Sequence, residues 1–164
     1  MAKAREIEGL DARMPYASAA ARTVEVRAEE VFEHSGGVLD TGSIERVHDM
    51  RVATRRLRAV LEIYEPCFPR ERLADALGEV KDLADALGDR RDPDVELLAL
   101  EQFAASVGPD ERPGVELFIS RTRIEQASAN ERLAAALTEA ERSGLRERLQ
   151  GLADSAEDEE AVEE

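Results

Sequence analysis

Between Arg46 and Arg58 the chain gathers five arginines (Arg46, Arg51, Arg55, Arg56 and Arg58) and His48 within thirteen residues, opposed only by Asp49. A guanidinium is a flat fork of permanent donors that fits phosphate or carboxylate oxygens two at a time. An imidazole adds a donor whose charge changes near neutral pH. The chemistry such a cluster suits is the binding of anions, phosphate oxygens above all.

The spacing places these residues on one helix, predicted from Ser43 to about Tyr64. On a wheel of about 100° per residue, Val60, Ala53, Tyr64, Leu57, Met50, Leu61, Thr54 and Val47 form a continuous core arc. Arg58, Arg51, Glu62, Arg55 and His48 follow as a single polar stripe, with Ala59, Val52 and Ile63 beyond it. Arg56 and Asp49 come last and should face water. Apolar residues on both borders imply that the stripe lines a groove or cavity between helices, where unpaired charge is costly and must be neutralised. Glu62 can serve one arginine. For the others two readings stand: Asp82, Asp85, Glu96 or similar residues complete an internal salt-bridge network, or an anion arrives from outside. Arg27 beside Val24 and Val31, Lys81 beside Leu77 and Ala84, and Arg121 between Leu117 and Ile124 share core-edge positions and can add positive charge.

The other elements follow from helical periodicity and its breakers. Residues 1–14 read as an irregular lead-in ending at Pro15. A first helix runs from Tyr16 to His34 and stops at Ser35-Gly36-Gly37. Ser43 is placed to cap the second, its oxygen accepting a first-turn amide. A third covers Arg70 to Leu87, with Gly88 as its cap. Asp92-Pro93 opens a fourth, which Gly108-Pro109 ends. A fifth spans Pro113 to Arg142 and a sixth Leu145 to Ala153. No stretch alternates with the period of a strand, so the expected fold is all-α, an antiparallel bundle of about five to six helices over residues 15–153. Residues 154–164 are too charged and too poor in large apolar groups to order themselves.

Composition narrows the function classes. The 164 residues carry 22 basic and 37 acidic side chains, net −15, with 43% hydrophobic and 4% aromatic residues and no Trp. The core must therefore be Ala, Leu and Val, which suits closely packed helices. Twenty of the basic residues are arginines; only Lys3 and Lys81 are lysines. Seven carboxylates fall in the last twelve residues, so the basic cluster is an island on an acidic chain. That balance argues against duplex nucleic acid as a partner. No apolar run approaches the roughly 18 residues of a membrane span, and the polar N-terminus lacks a signal-peptide core. The lone Cys67 excludes an intramolecular disulfide and a cysteine-based zinc site. A cytoplasmic protein with no cofactor and no metal is expected.

The run Val47-His48-Asp49-Met50-Arg51-Val52-Ala53-Thr54-Arg55-Arg56-Leu57-Arg58 resembles the CHAD family, the conserved histidine α-helical domain. The likeness continues through Leu61-Glu62-Ile63-Tyr64-Glu65-Pro66 and returns at Leu83-Ala84-Asp85-Ala86-Leu87-Gly88-Asp89-Arg90-Arg91-Asp92-Pro93-Asp94-Val95, similar to that family's LG…RDxDV segment. With its flanking helices the resemblance covers about residues 15–152. It implies a non-catalytic helical domain that binds inorganic polyphosphate and accompanies polyphosphate granules or polyphosphate-metabolising enzymes. By matching position it implies His48, Arg51, Arg55 and Arg58 as ligands, Arg91 and Lys81 less directly. Arg27 and Arg121 rest on the wheel, and Arg56 fits the motif while pointing outward. CHAD domains commonly hold two tandem helical repeats; this chain has one such motif, so either half a cavity suffices or two chains complete it, and a homodimer is expected.

Three further expectations follow. A protonated His48 would strengthen polyanion binding on acidification, whereas a neutral His48 would be a hydrogen-bonded member of the bundle. The acidic tail either solubilises the chain or competes with ligand for the basic stripe. The dyad His48-Asp49 raises a metal-dependent HD-type phosphohydrolase, but only His34 remains as a further histidine, the dyad diverges by about 100° on the wheel, and the positive neighbours disfavour a cation. The structural helical adaptor with an internally salt-bridged stripe is the stronger rival.

Overall fold

A computed structural model describes residues 3–157. Among them are five α-helices and no strand: α1 (Tyr16–Glu33), α2 (Ile44–Ile63), α3 (Arg70–Ala104), α4 (Arg112–Arg142) and α5 (Leu145–Asp154), with a 3-10 turn at Glu65–Cys67 between α2 and α3. The chain is therefore an all-α bundle. From α1 to α4 each helix packs antiparallel on the next, and α5 packs chiefly on α1, only lightly on α4. The core is the expected aliphatic one: Val24, Val31, Met50, Leu57, Leu61, Leu83, Leu87, Leu133 and Leu149 are all nearly inaccessible. Val38 in the loop before α2 joins them as a plug.

The largest departure from expectation is α3. Gly88 does not cap a helix and Asp92-Pro93 does not open one; the helix runs unbroken for 35 residues with Pro93 inside it. Proline there forfeits one bond, to the carbonyl of Asp89. The buried line Leu83, Leu87, Arg90, Asp94 and Leu97 runs through that point and packs on α4, so tertiary burial carries the helix across. A side chain at Gly88 would meet nothing within 4 Å, and nothing there demands a turn. The helix instead ends at Ala104, before Gly108-Pro109.

Lengths set the outline. At about 1.5 Å per residue α3 and α4 reach about 52 and 46 Å, whereas α1 and α2 reach about 27 and 30 Å. The α3–α4 hairpin thus overhangs the bundle beyond the start of α2.

Ser43 stands at the expected N-cap position of α2, but its side chain makes no capping bond. The preceding loop is held instead by Arg46, whose Nη1 donates to the Gly36 carbonyl at 2.9 Å. Gly37 adopts φ +71°, and a Cβ there would overlap Arg46 Nη1. Gly37→Ala is expected to cost about 1–2 kcal/mol, read as a lower urea midpoint at unchanged slope.

Both ends of the described chain are tied down. Residues 3–15 carry no helix, yet Arg5 bridges to Glu29 at 3.0 Å and to Glu33 on α1. Asp154 is the last residue of α5, and the Glu157 amide donates to the Cys67 carbonyl at 3.0 Å. The remainder of the expected disordered tail, residues 158–164, lies outside the described residues.

Candidate functional site

Along α2 the buried line is Val47, Met50, Ala53, Thr54, Leu57 and Leu61, six of the eight residues of the expected core arc; Val60 and Tyr64 are half-buried. Thr54 satisfies its hydroxyl on the Met50 carbonyl at 2.8 Å. The Tyr64 flank meets α1: the Tyr16 and Tyr64 rings lie 5.0 Å apart, and the Tyr16 hydroxyl donates to the Ile63 carbonyl at 3.5 Å. Arg56 and Asp49, expected in water on this side, are half-buried because α1 runs along it. Arg56 is partnered, and one oxygen of Asp49 is buried without a hydrogen bond.

The opposite edge of α2 faces α3, and there the polar stripe lies. His48 and Arg51 are half-buried, Arg55 and Arg58 exposed. Arg58 Nε donates to Glu62 at 2.9 Å with both side chains nearly half exposed, a contact worth little in water. Among the described residues His48, Arg51 and Arg55 have no ion pair and no side-chain hydrogen bond. The second apolar border is not closed: Ala59 is exposed and Ile63 is 63% exposed. The stripe lies beside α3 along one edge and is open to solvent along the other, because no helix among the described residues covers the Ala59–Ile63 side.

Helix α3 adds two cations to the same seam. Half-buried Arg91 donates from Nη1 to the Ile44 carbonyl at 3.4 Å. In an α-helix that carbonyl also serves the amide of residue 48, so the Arg91 guanidinium sits at the turn carrying His48. Taking Arg91 as level with Ile44 in this antiparallel pair sets Gly88 level with Val47, Ala84 with Arg51 and Lys81 with Thr54. Lys81 is half-buried and has no ion pair among the described residues. Gly88 carries no side chain on that edge, and a Cβ there would meet nothing within 4 Å.

Three of the expected ligands are not brought here. Arg27 is 12% exposed and pairs at 2.5 Å with Glu30, 5% exposed, its other arm donating to the Arg5 carbonyl at 3.1 Å. Its charge is neutralised on α1. Arg56 lies on the α1 flank. Arg121 is exposed on α4, on the face turned away from α3.

A polar centre that the sequence reading passed over begins at Arg90, the residue next to Arg91. Arg90 is fully buried and pairs with Asp94, 1% exposed; its Nε donates to Asn130 at 3.1 Å, and Gln126 donates to the same Asp94 oxygen at 2.7 Å. Asn130 in turn donates to the Leu39 carbonyl at 3.0 Å. Burial lowers the pKa of Arg90 from the ordinary arginine value. The signal was available: Arg90 and Asp94 are four apart and continue the line of Leu83 and Leu87, the spacing of an inward-facing pair.

A family model described as the CHAD domain matches residues 22–164, which include both the α2 run and the segment around Arg91. The chain belongs to the CHAD family. CHAD domains are known as a polyphosphate-binding helical family. No curated protein matches this chain. Within this CHAD domain the motif around residue 90 divides its labour: Arg90 and Asp94 join α3 to α4, while Arg91 turns back to the basic seam. No helix among the described residues is long and apolar enough to cross a membrane.

Proposed function

We propose that this CHAD domain binds inorganic polyphosphate, without chemical turnover, along the α2–α3 seam through His48, Arg51, Arg55 and Arg58, with Lys81 and Arg91 at its α3 edge. What supports the reading is that His48, Arg51 and Arg55 share one edge of α2 and Lys81 is half-buried on α3, the helix packed beside it, with no ion pair on any of the four among the described residues. Successive phosphates of a flexible chain would each accept charge-assisted hydrogen bonds, about 1.5–3 kcal/mol apiece. A few of these reach micromolar affinity after the ordering cost.

The net charge of −15 does not oppose this at contact range. Beyond a Debye length of about 8 Å it is screened, whereas a contact at about 4 Å is worth about 4 kcal/mol at an effective dielectric of 20 before desolvation. The same reading puts the protein in the cytoplasm at polyphosphate granules, as a homodimer that offers two such seams.

The test is calorimetric titration with long-chain polyphosphate at two salt concentrations. With four cations engaged, counterion release predicts affinity about fifty-fold weaker at about 200 mM than at about 50 mM salt. Binding indifferent to salt, or none by the folded protein at low salt, would reject the proposal in favour of a helical adaptor.

A further inference from the structure

The overhanging hairpin leaves one helix face without a neighbour. On α4 the line Ile119, Thr122, Gln126, Ala129 and Leu133 is buried, and α4 packs mainly on α3, with α5 touching it more lightly. The reverse face carries Leu117, Arg121, Ile124 and Ser128 at helical spacing, flanked by Phe118 and Glu125, all exposed. Leu117, Phe118 and Ile124 are 69%, 58% and 71% exposed, a concentration of large apolar groups that a solvated face does not need. Arg121 and Glu125 have no ion pair among the described residues although they stand one turn apart.

We infer that this face of α4 is where a second copy of the chain docks, helix against helix and antiparallel about a two-fold axis. The face is complementary to itself. An axis crossing α4 at the level of Arg123 sets Arg121 of one copy against the partner's Glu125, and does so twice, since an isologous interface repeats every contact. The same axis sets Phe118 over the partner's Ser128, large against small, and brings the two Ile124 side chains together at the centre. Arg121, displaced from the basic seam, thereby finds its counter-charge. The inference rests on the homodimer of the proposed reading but not on polyphosphate, because association is measured without it.

The experiment is sedimentation of the full chain at about 50 μM without polyphosphate, where a micromolar dimer is mostly associated. The parent should run as a dimer. Ile124→Glu, which introduces facing charges at the centre, should weaken association at least about 100-fold, and Arg121→Glu at least about tenfold by setting like charges opposite. The double swap Arg121→Glu/Glu125→Arg should restore the dimer to within about threefold, since the pairing is regenerated in reverse. All these positions are exposed, so helicity and the unfolding midpoint of each monomer should match the parent. A monomeric parent, a dimer indifferent to Ile124→Glu, or a double swap as weak as Arg121→Glu alone would each overturn the inference. A dimer that behaves as described but takes up no polyphosphate would overturn only the ligand reading.

Discussion

Reversing two charges on α2, Arg51→Glu with Arg55→Glu, is expected to weaken polyphosphate binding at least about 100-fold, because each arginine supplies a contact of about 1.5–3 kcal/mol and each glutamate repels the chain. The fold should not suffer. Neither guanidinium has an internal ion pair among the described residues, Arg55 is exposed and Arg51 only half-buried, so no counter-charge is stranded by the change. Urea unfolding beside calorimetric titration separates the two readings sharply. A loss of affinity at an unchanged midpoint agrees with an external anion site. An unfolded or strongly destabilised variant would instead mean that the stripe holds the bundle together, as the adaptor reading requires.

The opposite pattern is expected on α3, at the residue next to Arg91. Arg90→Ala should destabilise the fold by about 3–5 kcal/mol, since it leaves the carboxyl of Asp94 almost inaccessible, without its cation and reduced to the single bond from Gln126. Asn130 loses its donor from Arg90 in the same change. Replacing both partners, Arg90→Met with Asp94→Leu, should recover much of that loss by removing the stranded charge along with its mate. Denaturation of the two variants beside the parent tests this. If Arg90→Ala costs no more than an exposed substitution, the buried network is not what joins α3 to α4. Polyphosphate affinity of the folded double variant should stay close to that of the parent, which sets Arg90 apart from its neighbour Arg91.

How far the sequence could be read depended on whether a feature was local. The limits of α2 and most of its buried line follow from the period of one helix, and the folded chain bears them out; the grouping of His48 with Arg51, Arg55 and Arg58 follows from the same period. The continuity of α3 does not follow from any such rule. Gly88 and Pro93 are local stop signals, and they were overridden by burial against α4, a partner far along the chain. Arg27 and Glu30 could have been paired from their i,i+3 spacing, but the return of Arg5 onto the same carboxylate depends on where the lead-in docks. A wheel placed Arg121 at the edge of a core without saying which neighbour that edge would meet. It gave Ile63 an apolar border to share, and no helix came to cover it.

The overhang of α3 and α4 divides the molecule into two tiers of local stability. Within the bundle an amide is sheltered by several packed helices; past Pro93 it is sheltered by one partner helix and by a short interior in which Asp94, Thr122 and Gln126 stand among the buried groups. Opening such a segment exposes little apolar surface and costs less than unfolding the whole. The hairpin tip can fray and reclose while α2 and the seam it carries keep their shape, so motion at one end of this molecule need not disturb the charge arrayed at the other.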